Sequence, residues 1–357
     1  FATKVWKFSK MMQMQGWRVI EYSNSPSESE CLEKVEMLTK KELDDLCPRK
    51  ATDFHGNYAV IGSPHWRLFD ERFRAALKER VKPGDFIVHP FGRSHMALVK
   101  DFPQQKHGEF SAIGYPDKDF GAFRVFETES WRHYHAGSHI NFDAEGRVAM
   151  NGNLPQVGRN GSMYEWTNPN YYDLKDWTPR TEQGEYLLFY HRICSEKGMD
   201  TIRAIAERVD EQIIVAGQGS MKPWEHKNLK YIGPITGAAR NELLGKAKAI
   251  LCPTVFIEPF CGSSVEAMLC GTPAITSPYG AFTETIEHGK TGYRCHVLGD
   301  WLKAIKRIPT LDRAYISERA RRLYSLETCG SKVDKILRQI MALSDKGWYS
   351  EESIWVD

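Results

Sequence analysis

From about residue 180 the chain alternates short apolar runs with longer amphipathic stretches. Tyr186–Tyr190 is one such run, and residues 199–209 follow with Ile202, Ile205, Ala206 and Val209 at helical spacing. The strand-like run 212–216 ends at Gly217-Gln218-Gly219. Residues 229–232 are stopped by Gly233-Pro234, and a polar helix ends near Lys246. Residues 249–252 read as another strand, 264–270 as a short helix, and 273–276 as a strand before the turn Ser277-Pro278-Tyr279-Gly280. Strands of about four to six residues alternating with helices of about ten predict a parallel sheet covered on both faces.

The first half carries the same kind of pattern less regularly. Residues 3–16 contain no proline and place Val5, Phe8 and Met12 on one face, and 18–22 follow as a strand. Residues 64–80 predict a helix closed by Lys82-Pro83-Gly84 and followed by a strand at 85–89. Residues 123–127 read as a strand leading into a helix near Trp131, whereas 24–30 form a polar loop. The stretch 167–180, with Asn168-Pro169-Asn170 and Trp177-Thr178-Pro179, has the turn-rich composition of a domain junction. Near the end, Val333, Ile336, Leu337 and Ile340 share one face of a helix over 331–343, which reads as a packing helix returning to the first domain. The fold class is therefore α/β, with a first Rossmann-like domain over 1–177, a second over 178–330, and a C-terminal helix and tail over 331–357. In sheets of this kind ligands bind at the carboxyl ends of the strands.

Composition narrows the function classes. With 41% hydrophobic and 26% charged residues, the chain matches neither disordered, collagen-like nor small disulfide-stapled proteins. No apolar run reaches the roughly 18 to 20 residues of a membrane-spanning helix, and Phe1-Ala2-Thr3-Lys4-Val5 does not begin a signal peptide. The 48 basic and 46 acidic side chains are interleaved, for a formal charge of +2, so no basic stripe for duplex nucleic acid is present. None of the eight cysteines forms a C-x-x-C pair, and several sit in apolar surroundings. They read as reduced, buried thiols of a cytoplasmic protein.

Two segments concentrate chemistry. In Tyr190-His191-Arg192-Ile193-Cys194-Ser195-Glu196-Lys197-Gly198, Arg192 and Lys197 lie between a strand end and a helix start. Two cations beside a helix N-terminus suit a diphosphate, although solvated loop charges would look the same. In Glu258-Pro259-Phe260-Cys261-Gly262-Ser263-Ser264-Val265-Glu266, small residues precede a helix and leave backbone N–H groups open to an anion. Glu258 and Glu266 are too far apart in sequence to share one proton. They can accept hydroxyl hydrogen bonds from two parts of one long ligand, or serve as a surface turn residue and a helix-terminal charge.

Residues 186–292 resemble the retaining glycosyltransferases of GT-B fold whose signature is two glutamates separated by seven residues (family 4-like). The resemblance rests on Glu258-Pro259-Phe260 through Glu266-Ala267-Met268, on Cys270-Gly271-Thr272-Pro273-Ala274-Ile275, on the Arg192 to Gly198 cluster, and on Glu284, Gly289 and Thr291-Gly292. Pro169-Asn170-Tyr171-Tyr172-Asp173-Leu174 looks like the family's linker. The resemblance implies two Rossmann-like domains facing across a cleft, and transfer of a sugar from a nucleoside-diphosphate sugar. Arg192 and Lys197 would then neutralise the leaving diphosphate. Glu266 would bind the ribose hydroxyls, Glu258 the transferred sugar, and the backbone of Gly262 and Ser263 the phosphates or sugar. Ile232 would lie against the base. No metal and no other cofactor is implied.

Two departures stand out: His191 replaces the family's usual glycine, and the chain opens inside the helix that should follow a first strand and glycine-rich loop. On the acceptor side the candidates are Asp117, Tyr115, His89, His95 and Glu127. His135 and His139 stand at helical spacing, but no third ligand accompanies them and no metal site is assigned. The acceptor class is open among glycan, lipid, protein, small molecule and modified nucleic acid. The alternatives are a sugar-nucleotide-binding protein without turnover, or a phosphorylase or epimerase on the same fold.

Overall fold

The computed structural model describes residues 2–47, 62–90, 95, 97–110, 123–137, 164–182 and 184–343. The chain groups into two compact units. The first holds residues 1–126, 135–171 and 326–357, and the second 127–134 and 172–325.

In the first unit, α1 (Ala2–Met14) leads to β1 (Ile20–Ser23), β2 (Glu33–Glu36) and α2 (Lys40–Leu46). Then come α3 (Pro64–Arg80), β3 (Phe86–His89), α4 (Leu98–Asp101), β4 (Lys106–Phe110) and β5 (Phe123–Phe126). Helix α5 (Glu129–Gly137) begins in the second unit and ends in the first, where β6 (Glu165–Thr167) follows. Helix α3 has the predicted bounds because Pro64 opens it and Lys78 and Arg80 sit in the last turn, favourable to the helix dipole. The turn after it is Lys82-Pro83-Gly84-Asp85. Pro83 presets its backbone, Gly84 takes φ +87°, and Asp85 N–H donates to Lys82 O at 3.1 Å. Strands β3, β4, β5 and β6 form one parallel sheet in that order, and β1 and β2 pair in parallel separately. Among the described residues no strand joins the two sheets. Residues 18–22 and 84–90 border a common cavity of about 370 Å³, lined also by Phe8, Phe69, Phe73 and Phe110.

The second unit runs β7 (Tyr186–Tyr190), α6 (Met199–Ala206), β8 (Ile213–Ala216), β9 (Leu229–Gly233), α7 (Gly237–Lys246), β10 (Ala247–Cys252), α8 (Gly262–Leu269), β11 (Ala274–Thr276), α9 (Phe282–Thr285), β12 (Gly292–Arg294), α10 (Leu298–Arg307) and α11 (Arg313–Tyr324). Its six strands are parallel, in the order β12-β11-β10-β7-β8-β9. Strand order therefore reverses between β7 and β10, the switch point at which such sheets open a crevice. One apolar layer, with Leu188, Ile250 and Met268, covers one face of this sheet, and a second, with Phe189, Ile202 and Trp301, covers the other.

The last helix, α12 (Leu326–Ala342), belongs to the first unit and starts five residues earlier than the apolar pattern suggested. Val333, Ile336, Leu337 and Ile340 pack with Met11 and Met12 of α1. Lys106 Nζ caps the far end of α12, donating to Ile340 O at 2.5 Å and Leu343 O at 2.8 Å. No described helix is long and apolar enough to cross a membrane.

Candidate functional site

The site residues of the second unit gather where β7 and β10 end. The loop after β7 reaches Lys197 and Gly198, and the loop after β10 begins at Pro253. Gly198 lets them meet: it has φ +85°, and a Cβ there would stand 2.0 Å from Pro253 O. Val255 N–H donates to Glu196 O at 3.0 Å across the same junction.

Lys197 and Glu258, 61 residues apart, form an ion pair through Nζ and Oε1, with side chains only 14% and 5% exposed. Thr254 Oγ1 donates to the same carboxylate oxygen at 3.0 Å. The Lys197 ammonium also lies 4.6 Å from the centroid of the Phe256 ring. The loop carrying Glu258 is fixed from behind by the 277–280 turn. Ser277 Oγ and Tyr279 Oη donate to Thr254 O at 2.6 and 2.8 Å, and Ala281 N–H donates to Glu258 O at 3.0 Å. Arg192 is exposed on the loop after β7. The two cations grouped by sequence are thus in different environments, one part-buried against a carboxylate and one in solvent.

Glu266 projects from α8, and Arg240 Nη1 of α7 lies 3.8 Å from its Oε2. Burial raises the Glu266 carboxyl above its usual range, and Arg240 opposes the shift. The Arg240 guanidinium is itself seated 4.6 Å from the Trp177 ring centroid. At the start of α8, Tyr172 Oη donates to Gly262 O at 3.4 Å, and Ser263 Oγ stands 3.2 Å from His191 Nδ1. Ile232, 37% exposed, lies in β9 beside the exposed Tyr231.

His191 follows the last residue of β7 directly. Its ring is neutral, with the pKa lowered to about 3 by burial and by the Lys197 charge. His191 Nε2 is buried without a hydrogen bond of sound geometry. Cys252 and Cys261 bring their sulfurs within 4.8 Å of a ring nitrogen of this histidine and of each other. Burial drives the Cys252 thiol well up, whereas its hydrogen bond to Cys261 lowers the Cys261 thiol.

The start of α5 belongs to this unit. Thr128 Oγ1 donates to Pro259 O at 2.8 Å. The Glu284 carboxylate accepts from Glu129 N–H at 3.0 Å and from Ser130 N–H at 2.7 Å, capping the helix. Glu127, 8% exposed, immediately precedes this anchor.

Of the remaining acceptor-side candidates, His89 and His95 belong to the first unit. His89 is 4% exposed and packs inside the first unit. Its Nε2–H donates to His107 Nδ1 at 2.9 Å, and His107 Nε2–H donates to Phe102 O at 2.9 Å. Burial and the neighbouring His107 lower the His89 pKa to about 3. His95 stacks on Trp66 at 5.9 Å and lies 3.3 Å from Asp70 Oδ1. Both histidines have structural surroundings, and both border the cavity between β1 and β3. Tyr115, Asp117 and His139 lie outside the described residues.

Sequence reasoning missed Arg240, whose only signal was a cation on a polar helix, and the Lys197–Glu258 pairing, which no local pattern encodes.

Residues 174–322 match the family described as glycosyl transferases group 1, a segment that lies within the second unit. An uncharacterised glycosyltransferase of Methanocaldococcus jannaschii is 28% identical over 154 residues, covering 36% of this chain and 39% of that protein. The glycogen synthase of Mycobacterium tuberculosis is 28% identical over 191 residues, covering 48% of this chain and 45% of the synthase. The chain thus spans less than half the length of these relatives. Among solved structures, Anabaena HepE in complex with UDP and glucose superposes with a TM-score of 0.64 at 12% identity, covering 93% of this chain and 95% of that one. The fold is α/β with parallel sheets, of the GT-B class.

Proposed function

We propose that the protein is a glycosyltransferase that moves a sugar from a nucleoside-diphosphate sugar to an acceptor, with retention of anomeric configuration and without a catalytic metal. The observation that carries this reading is the assembly at one sheet switch point of Lys197, Glu258 and the N-terminal turn of α8, with Glu266 on that helix. A matching family segment over 174–322 supports it. The physical problem in glycosyl transfer is charge: the anomeric carbon becomes cationic while the diphosphate gathers negative charge. Fixed cations on the departing phosphate stabilise that state more than the ground state, which is the condition for catalysis. In this reading Arg192 meets the diphosphate from the solvent side and Lys197 reaches it from its pairing with Glu258. Glu258 takes hydroxyls of the transferred sugar, Glu266 takes those of the ribose, and Ile232 lies against the base. In this reading the acceptor attacks from the face the diphosphate leaves. The site is assigned to the cytoplasm, in keeping with eight cysteines free of disulfides.

The engagement of Lys197 by Glu258 favours one other reading, a sugar-nucleotide-binding protein without turnover. The test is nucleoside diphosphate release from UDP-, GDP- and ADP-sugars, beside a Glu266→Ala control, with UDP-glucose first because HepE was solved with UDP and glucose. Release from one donor, lost in the control, supports transfer. Binding by thermal shift without release, even when glycan, lipid and protein acceptors are added, supports the binder. Interconversion of the donor sugar without acceptor identifies an epimerase, and sugar phosphate formed without nucleotide sugar identifies a phosphorylase.

A further inference from the structure

We propose that His191, Cys252 and Cys261 form a binding site for one zinc ion at the switch point of the second unit. The ligands come from three elements: His191 follows β7, Cys252 ends β10 and Cys261 precedes α8. Their ligand atoms lie within 4.8 Å of one another. Tetrahedral zinc with Zn–S of about 2.3 Å and Zn–N of about 2.0 to 2.1 Å sets S···S near ~3.8 Å and S···N near ~3.6 Å. The three groups therefore need to close by about 1.2 Å at most to hold the ion.

Two independent observations point at an occupant. His191 Nε2 is buried without a hydrogen bond of sound geometry, the Leu251 backbone also acting on the ring, while the other ring nitrogen, Nδ1, stands 3.2 Å from Ser263 Oγ. That is the arrangement of a metal-ligating histidine oriented through its second nitrogen. Cys261 is the one described non-glycine residue with positive φ, at 60°. A strained backbone at that position places a thiol where glycine would be easier, and such strain concentrates at functional positions. Two thiolates and an imidazole offset the charge of a divalent ion and select zinc over magnesium or manganese, which take oxygen ligands. The site is thus separate in chemistry from the metal-independent transfer proposed above, and it stands whether or not that reading holds. Three protein ligands leave the fourth position to water. The bound ion ties the ends of β7 and β10 to the start of α8.

The test uses the whole reduced chain, freed of metal by a chelator and titrated with Zn2+ and with Co2+ as a coloured substitute. One equivalent is expected to bind, Co2+ giving a thiolate charge-transfer band. Zinc at a hundred times its Kd should raise the melting midpoint of the second unit by about 5 to 10 °C. Cys261→Gly removes a ligand while relieving the strained backbone, so it folds as an apo protein at least as well as the parent. It should lose the band and the thermal shift, as should Cys252→Ser and His191→Gln, whereas Cys295→Ser should retain both. Absence of stoichiometric binding by the reduced parent overturns the proposal. So does full binding by Cys261→Gly.

Discussion

Removal of the Lys197 ammonium tests how the site is held. The ion pair with Glu258 is 14% and 5% exposed, and the carboxylate has Thr254 Oγ1 as a further hydrogen-bond donor. Lys197→Ala leaves Glu258 buried beside a single hydroxyl. Breaking a buried pair by deleting one partner costs about 3 to 5 kcal/mol. In a unit of about 160 residues, each kcal/mol moves the melting midpoint by about 2 to 4 °C, so the expected fall is about 6 to 20 °C. Lys197→Met/Glu258→Gln removes both charges at similar volume and should recover most of that loss, giving a coupling of about 2 kcal/mol or more in the double-mutant cycle. The assay is thermal unfolding by circular dichroism, with nucleoside diphosphate release measured on the same samples. A cycle with no coupling, or a single mutant within about 2 °C of the parent, refutes the argument that this pair holds the loop. Recovery of stability without recovery of release is the expected signature of a pair that both supports the loop and acts on the substrate.

Arg192 separates the two roles, because it is exposed. Arg192→Ala should change stability by no more than about 0.5 kcal/mol yet lower turnover by about 10² to 10³, measured by steady-state release. Glu266 has its carboxyl raised by burial, so the folded state keeps a proton that the unfolded state loses near pH 4.5. Stability should therefore fall as pH rises from 4.5 through the raised value, and Glu266→Gln should flatten that dependence in urea unfolding across this window. His89 has the opposite sign. Its pKa of about 3 lies below the unfolded 6.5, so on acidification the unfolded state takes the proton first. Acidification should then cost about 1.4 kcal/mol per pH unit between those values, and His89→Gln should remove that part of the acid sensitivity.

The parallel sheet of the second unit could be read because its strands are buried on both faces and stand out as apolar runs such as Tyr186–Tyr190. In the first unit the same logic fails at β4, Lys-His-Gly-Glu-Phe, most of which is buried. Within it His107 bonds His89 and Phe102 O, a pairing that no periodicity announces. Strand β2, Glu-Lys-Val-Glu, pairs among the described residues with β1 alone and buries little, so it carries no apolar signature. The positions of Arg192, Lys197, Glu258 and Glu266 were legible from local motifs. Their partners were not: Arg240 beside Glu266 and the grouping of His191, Cys252 and Cys261 depend on which strand ends the topology brings together.

The start of α5 makes the second unit discontinuous in sequence. The chain passes between the units after residues 126, 134, 171 and 325. The short excursion 127–134 gives the Pro259 carbonyl its donor in Thr128 and gives the Glu284 carboxylate the amides of Glu129 and Ser130. A fragment cut at 172–325 leaves those groups, one of them the carbonyl of the residue after Glu258, to water. The unit therefore does not travel as a cassette: grafting it onto another first unit, or shuffling it between relatives, requires carrying a matched piece of the host. Recombination at the obvious linker would sever the candidate site from one of its own supports.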